Sequence, residues 1–210
     1  LSYDAVGRLV RVREAGQTQT EANYTYDGAG RLTGVAHAGQ TRTFLYDTAG
    51  RLLSATNPES GTITYAYDDA GNLVERIDAR GIRTCTGYQP GTGCTASAMA
   101  HDGLNRVVKK TYGDATPEVT YTYDTCANGL GRLCVVSAKA QGATSPFATV
   151  SYGYDVAGRI ISSTQTTDSV AYPFSYTYDL AGKVEAMTLP SGRTVTSCYD
   201  RAGRMKSVTG

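Results

Sequence analysis

The most informative segment of the sequence is Tyr26-Asp27-Gly28-Ala29-Gly30-Arg31-Leu32. An Asp at the start of a turn can accept backbone N–H bonds, and a Gly three residues later suits a position with positive φ. The preceding segment, Asn23-Tyr24-Thr25-Tyr26, alternates Tyr with smaller side chains at the period of a strand. The stretch therefore predicts a β-hairpin, in which a strand with an aromatic face is followed by a turn and a second strand.

This pattern occurs nine times, and successive copies start 20–24 residues apart except for two steps of 34 and 31 residues. In the fifth copy, Asn105 replaces Gly, and Asn is among the residues that tolerate positive φ. In the sixth copy, Gly131 follows Asp124 only after four additional residues. We assign the regular turns to the following Asp and Gly pairs: Asp4 and Gly7, Asp27 and Gly30, Asp47 and Gly50, Asp68 and Gly71, Asp155 and Gly158, Asp179 and Gly182, and Asp200 and Gly203.

The composition agrees with a strand-and-turn protein, since the 210 residues include 16 Tyr and 24 Gly. A net charge of +1 removes the electrostatic argument for nucleic acid or an anionic membrane surface, and no apolar run is long enough to predict a membrane-spanning helix. A second set of turns alternates with the first, and its candidates are Ala15-Gly16-Gln17, Ala38-Gly39-Gln40, Glu59-Ser60-Gly61-Thr62, Ala79-Arg80-Gly81 and Pro190-Ser191-Gly192-Arg193. We therefore predict an all-β protein.

With these Tyr-Asp-x-x-Gly-Arg-Leu units, which extend from Tyr3 to Met205, the chain resembles the YD-repeat family, also called Rhs repeats. The resemblance implies tandem β-hairpins in a spiralling ribbon that forms part of a hollow shell, barrel or tube. In bacterial polymorphic toxins and insecticidal toxin complexes, such a shell encloses a cytotoxic domain, and in teneurins a similar barrel serves in cell adhesion. The implied function is a non-enzymatic structural scaffold, the wall of a shell that encloses or delivers a toxin, with no cofactor.

The length of the ribbon favours a piece of something larger. Nine hairpins give about 18 strands, and a strand spacing of about 4.8 Å makes a ribbon roughly 85 Å long, too short to close around a protein domain. The chain also begins at Leu1. We therefore expect residues 1–210 to form a single repeat array that is a fragment or processed piece of a larger repeat protein. Its expected partners are flanking repeats of the parent chain or other copies of itself, together with an enclosed toxin domain.

An alternative function is an extracellular adhesion or binding module, assembled into a cell-surface filament or tube, that binds a carbohydrate or another cell-surface ligand. The Tyr stripes could serve as a stacking platform for a carbohydrate or for single-stranded nucleic acid. Packing is the better interpretation, because Tyr is part of the repeat itself. The two lengthened loops, Thr86–Ala98 and Thr125–Leu130, discriminate the functions, since a wall needs them packed or covering an edge and an adhesin would present them outward.

Four of the five cysteines bracket the insertions: Cys85 and Cys94 enclose one, and Cys126 and Cys134 enclose the other. We predict two local disulfides, and the alternative is half-buried thiols. Disulfides indicate an extracellular, periplasmic or cell-surface location. Cys198 is left over, and it either is buried or pairs between chains.

Catalytic and metal chemistry are not predicted. The turn Asp residues suggest capping rather than calcium binding, because calcium needs several oxygen ligands that converge on one point, and the Cys residues lack His at zinc-like spacing. Arg in the signature could pair with the Asp of a neighbouring repeat to form a ladder. Ser97, His101 and Asp102 contain the residue types of a hydrolase, but there is no nucleophile elbow, and neighbouring strand residues point to opposite faces.

Overall fold

The computed structural model describes residues 1–13, 21–86, 94 and 101–210. Contacts divide the chain into two compact units, which are Leu1–Ser97 with Tyr112–Asp114, and Ala98–Thr111 with Ala115–Gly210. All regular elements of the described residues are β-strands, and the strands pair antiparallel, so the all-β hairpin prediction is confirmed. No helix long and apolar enough to cross a membrane was found in this described part of the chain.

The first unit is an antiparallel meander in which each strand pairs with the next along the chain. Its strands are β1 Ser2–Tyr3, β2 Leu9–Arg13, β3 Glu21–Tyr26, β4 Leu32–His37, β5 Gln40–Tyr46, β6 Leu52–Asn57, β7 Gly61–Tyr67, β8 Leu73–Ile77 and β9 Arg83–Thr86.

The second unit repeats this organisation from β10, of which Lys109 and Lys110 pair with β11. Its strands are β10 Lys109–Tyr112, β11 Glu118–Tyr123, β12 Leu133–Lys139, β13 Ala148–Tyr154, β14 Ile160–Thr167, β15 Val170–Tyr178, β16 Val184–Thr188, β17 Thr194–Tyr199 and β18 Met205–Thr209.

The turns at the opposite edge from the Tyr-Asp turns differ from one another. Between β4 and β5, Ala38 and Gly39 have φ of 50° and 78°, which is the two-residue hairpin loop that matches the strand twist. Between β8 and β9, Gly81 N–H donates to the carbonyl of Asp78 at 2.9 Å, as in the signature turns. The turn predicted at Ala15-Gly16-Gln17 lies outside the described residues.

Each unit has two unequal faces. Along β7, Ile63, Tyr65 and Tyr67 are half-buried, whereas the alternating residues Thr64 and Ala66 are exposed. Few side chains of the described residues are buried, and those that are include Val74, Cys85, Cys134, Tyr154, Thr111 and Glu118. Since most side chains remain at least partly exposed, contacts between adjacent strands have to supply much of the stability.

Candidate functional site

The signature turn is built on one carboxylate and one glycine. In the second copy, Oδ1 of Asp27 accepts N–H bonds from Ala29 at 3.0 Å and from Arg31 at 2.9 Å. Gly30 N–H donates to the carbonyl of Asp27 at 3.0 Å. Gly30 has φ of 81°, a conformation that a side chain disfavours. The carboxylate thus satisfies turn N–H groups that no strand partner reaches.

The other regular copies have the same geometry. In each of them, the Asp Oδ1 accepts the N–H of the residue four positions later at 2.8–2.9 Å. The glycines have φ between 78° and 87°, namely Gly7, Gly30, Gly50, Gly71, Gly158, Gly182 and Gly203. Asn105 has φ of 58° at the equivalent position. Donation by backbone N–H groups, first among them that of the Arg four residues later, lowers the pKa of Asp4, Asp27 and Asp155.

The predicted ladder, in which each Arg pairs with the Asp carboxylate of the neighbouring repeat, is wrong for most copies. Nε of Arg31 lies 2.6 Å from Oδ2 of Asp27 in its own turn. The neighbouring repeat instead offers a backbone acceptor, since Nη1 of Arg31 donates to the carbonyl of Asp47 at 2.7 Å. Each Arg has several donors in a fixed fork, so one guanidinium can serve both turns.

Arg106 is an exception, because it also binds the carboxylate of Asp124 in the following repeat. Its Nε lies 2.6 Å from Asp102 in its own turn. Asp124 has φ of 66°, and its turn carries the four-residue insertion, so the carboxylate sits differently from those of the regular copies.

Tyr of the signature completes the connection between repeats. The Cζ atom of Arg8 lies 4.8 Å from the centre of the Tyr26 ring, and the Tyr26 hydroxyl donates to the carbonyl of Leu9 at 2.8 Å. We call this combination the inter-repeat clamp. Cation–ring contacts of 4.3–5.6 Å recur in these pairs: Arg8 and Tyr26, Arg31 and Tyr46, Arg51 and Tyr67, Arg106 and Tyr123, Arg132 and Tyr154, Arg159 and Tyr178, and Lys183 and Tyr199.

A disulfide joins Cys85 to Cys94, whose Cα atoms are 5.5 Å apart. Glu75 contributes to the same cluster, because its carboxylate accepts the N–H of Cys94 at 2.9 Å and lies 2.9 Å from Nε of Arg83. Glu75, Cys85 and Cys94 are close enough to hold a metal ion. The two sulfurs are bonded to each other, however, and the carboxylate already accepts one N–H bond and forms one ion pair. Most of the loop Thr86–Ala98 lies outside the described residues.

The second disulfide joins Cys126 to Cys134, with Cα atoms 5.6 Å apart, across the lengthened turn of the sixth copy. This loop packs on the neighbouring hairpin, because Nδ2 of Asn128 donates to the carbonyl of Tyr154 at 3.0 Å. Gly129 is buried, and a Cβ there would lie 2.5 Å from the sulfur of Cys126, so a side chain would collide with the disulfide. Leu130 remains 81% exposed. Cys198 is a free, exposed cysteine.

Among the described residues, Asp102 does not bind His101. Asp102 caps its own turn through the N–H groups of Leu104 and Arg106, and it pairs with the guanidinium of Arg106. His101 forms an isolated bridge to Val107, and its buried Nδ1 lacks a hydrogen-bond partner among the described residues. Ser97 lies outside the part of the chain that the structure describes.

Two features are not among the sequence predictions. Glu118 is buried, and its carboxylate lies 2.9 Å from both Lys109 and Lys139 on the adjacent strands. Burial alone would raise the pKa of Glu118, but hydrogen bonds from these two lysines lower it overall. No sequence signal distinguishes Glu118.

The second feature is the turn between β8 and β9, whose N–H groups are capped by Asp78. This turn could have been found from the sequence, because Asp78 and Gly81 have the spacing of the signature Asp and Gly.

Comparison with known families gives two matches that together cover most of the chain. The model of the Rhs repeat matches residues 3–43 and 46–83, and the model of the teneurin YD-shell matches residues 95–210. No curated protein sequence matches the chain significantly.

Solved structures share the fold. The crystal structure of TcdB2-TccC3-Cdc42 is similar with a TM-score of 0.72 at 13% identity, over 98% of this chain and 11% of that one. The crystal structure of TcdB2-TccC3 without the hypervariable C-terminal region has a TM-score of 0.68 at 17% identity, over 98% and 12%. This chain therefore spans about a tenth of the length of these structural relatives.

Proposed function

The chain belongs to the YD-repeat family of Rhs and teneurin shell proteins, and on that premise we propose that it is a non-enzymatic segment of the wall of a shell that encloses or delivers a toxin. The inter-repeat clamp is the observation that carries this proposal. A wall has to join each hairpin to the next, and the cation–ring contact of the clamp recurs for this purpose in both units.

The lengthened turn of the sixth copy supports a wall over an outward-facing binding loop. Its backbone is fixed by the disulfide and by the bond from Asn128 to the carbonyl of Tyr154. Arg132 adds a bond to the carbonyl of Gly158 at 3.2 Å, so the loop contacts the neighbouring hairpin at two places. A loop held in this way covers its neighbour.

The remaining parts of the wall would come from outside residues 1–210. Flanking repeats of a parent chain or further copies of this chain are the partners that such a ribbon requires, and a toxin domain is the expected cargo. The two disulfides favour an oxidising location, which is extracellular, periplasmic or at the cell surface.

Adhesion is the second candidate function. The teneurin YD-shell model covers residues 95–210, which include most of the second unit. In this alternative the same hairpins would form a surface filament or tube whose outer face binds a ligand.

Cryo-electron microscopy of the intact parent protein tests the two functions against each other. The wall function predicts a closed hollow body in which residues 1–210 form part of the wall around additional density. An open filament of repeating copies would contradict it and would favour adhesion. Protease digestion adds a second measurement, since Tyr67→Ala should expose the enclosed domain to cleavage, whereas Val156→Ala, at a 94% exposed turn residue outside the clamp, should not.

A further inference from the structure

Glu75, Cys85 and Cys94 form a cluster within the first unit that the clamp does not use. Glu75 on β8 and Cys85 on β9 are directly opposite in the strand register, so their side chains share one face of the sheet. Cys94 contacts both strands, because its N–H donates to Oε2 of Glu75 at 2.9 Å and its sulfur lies 3.9 Å from the carbonyl of Thr84. Contacts other than the disulfide therefore help to hold the two sulfurs and the carboxylate together.

The spacing of these three side chains is close to that of a zinc site. Their ligand atoms, which are the two sulfurs and a carboxylate oxygen, all lie within 4.8 Å of one another. Around a tetrahedral Zn²⁺, with Zn–S of about 2.3 Å and Zn–O of about 2.0–2.2 Å, the same atoms would be about 3.5–3.8 Å apart. Once the disulfide is reduced, rotation about the Cα–Cβ bonds can separate the sulfurs to this distance while the Cα atoms stay 5.5 Å apart.

The surroundings of the cluster suit a divalent cation. Cys85 is fully buried, and the side chain of Glu75 is only 18% exposed. Two thiolates and this carboxylate carry three negative charges, which are costly at a buried position unless they are paired. Arg83, whose Nε lies 2.9 Å from Oε2 of Glu75, offsets one of these charges, and Zn²⁺ would offset the other two. The N–H of Cys94 also uses Oε2, so the other carboxylate oxygen is the one that the metal would bind.

We propose that the reduced chain binds one Zn²⁺ at Glu75, Cys85 and Cys94, and that the metal replaces the disulfide in closing the loop of residues 86–93. A dithiol reductant supplies two electrons and two protons, so the S–S bond becomes two thiols and the dithiol becomes a disulfide. Zn²⁺ then displaces both thiol protons and binds the two thiolates, which are soft ligands that favour it over Mg²⁺ or Ca²⁺. Residues 86–93 contain no further Cys, His, Asp or Glu, so water takes the fourth position.

Alkylation of the unmodified 210-residue chain tests the proposal without any substitution. A water-soluble phosphine reduces the disulfides without adding thiols that would bind zinc, and the chain is then alkylated with and without an equimolar amount of Zn²⁺. Zinc should slow the modification of Cys85 and Cys94 by about tenfold or more, as measured by peptide mass spectrometry. Cys126 and Cys134 are the internal control, because their Cα atoms lie at a similar distance of 5.6 Å but they belong to no such cluster of three ligands among the described residues. Their modification should not depend on zinc.

Substitutions identify the ligands, with zinc affinity of the reduced chain measured by competition against a chromophoric chelator. Glu75→Gln should weaken binding about tenfold or more, and replacement of both Cys85 and Cys94 by Ser should abolish it. Replacement of both Cys126 and Cys134 by Ser is the matched control and should leave one zinc bound. Co²⁺ adds a spectroscopic measurement, since charge-transfer absorption from thiolate to cobalt should appear in the reduced chain and not in the oxidised one.

Alkylation of Cys85 and Cys94 at the same rate with and without zinc would overturn the site. Equal protection of Cys126 and Cys134 would overturn it as well, because any pair of neighbouring thiols would then suffice. Unchanged zinc affinity in a folded Glu75→Gln variant would contradict the three-ligand site, and thermal unfolding shows whether the variants are folded. If that variant does not fold, the alkylation of the unmodified chain still decides. The form of the parent particle, closed or open, affects none of these outcomes, so this site and the wall function are tested separately.

Discussion

Arg51 connects two repeats through Tyr67, because its Cζ atom lies 5.0 Å from the centre of the Tyr67 ring. The same guanidinium binds the carboxylate of Asp47 at 2.6 Å and donates to the carbonyl of Asp68 at 2.9 Å. A cation over an aromatic ring contributes about 0.5–1 kcal/mol at exposed sites. The stabilisation from a single clamp is thus modest, and the stability of the ribbon grows because the clamp is repeated between neighbouring hairpins.

The hydroxyl of Tyr67 provides a direct test of the clamp. It donates to the carbonyl of Leu52 at 3.0 Å. Tyr67→Phe should lower the free energy of unfolding by about 0.5–1.5 kcal/mol, the usual net contribution of one hydrogen bond. Urea unfolding measures the change. The matched control is Tyr46→Phe, because Tyr46 keeps its ring 5.1 Å from Arg31 and its hydroxyl has no partner among the described residues. Equal effects of the two substitutions would contradict the assigned role of the hydroxyl.

Replacement by alanine should change stability differently at two glycines of the same turn. Gly30 has φ of 81°, whereas Gly28 has no positive φ, and no atom lies within 4 Å of the position that a Cβ of residue 28 would take. Gly30→Ala should cost about 1–2 kcal/mol of stability, the penalty for a left-handed conformation in an L-residue. Gly28→Ala should be neutral or stabilise by up to about 1 kcal/mol, since it restricts the unfolded chain.

Chemical denaturation of both glycine variants provides the measurement. Gly30→Asn adds a second test, because Asn105 occupies the equivalent position with φ of 58°. This variant should lie between the unmodified chain and Gly30→Ala. If Gly28→Ala were the more destabilising substitution, the assignment of the strained position in the turn would be wrong.

The hairpins could be predicted from the sequence because strand period, turn Asp and turn Gly are all local signals. The partner of Arg31 in the next repeat was harder to predict, because the sequence suggests an ion pair with a carboxylate and gives no sign of a backbone acceptor. In the structure, that acceptor is the backbone carbonyl of Asp47, which every residue type possesses. The burial of Glu118 depends on Lys109 and Lys139, on two strands that meet it only after folding.

The two disulfides should leave one reactive thiol in the native chain. Alkylation without a reductant should modify Cys198 alone, and alkylation after reduction and unfolding should modify all five cysteines. Replacement of Cys126 and Cys134 by Ser should cost about 2–3 kcal/mol, as expected for a closed loop of about ten residues. Intact-mass spectrometry and urea unfolding give the two measurements.

Cys198→Ser is the control for this experiment, because the residue is exposed and lies outside both disulfides. It should remove the labelling and leave stability unchanged. Five modified thiols in the native, unreduced chain would show that the disulfides do not form.

Glu118 should link stability to pH. Burial alone would raise the pKa of Glu118, but the hydrogen bonds from Lys109 and Lys139 outweigh it, so the folded-state pKa is lowered. The stabilisation that Glu118 contributes is therefore present above the unfolded-state pKa. It is lost as the pH falls through the folded-state pKa. Glu118→Gln should therefore cost about 1–3 kcal/mol at neutral pH, and the difference from the unmodified chain should shrink below about pH 4. Urea unfolding across this range measures it. The exposed Glu185→Gln is the control and should change little at either pH. A Glu118→Gln effect that persists undiminished in acid would show that packing, rather than the two ion pairs, makes Glu118 important.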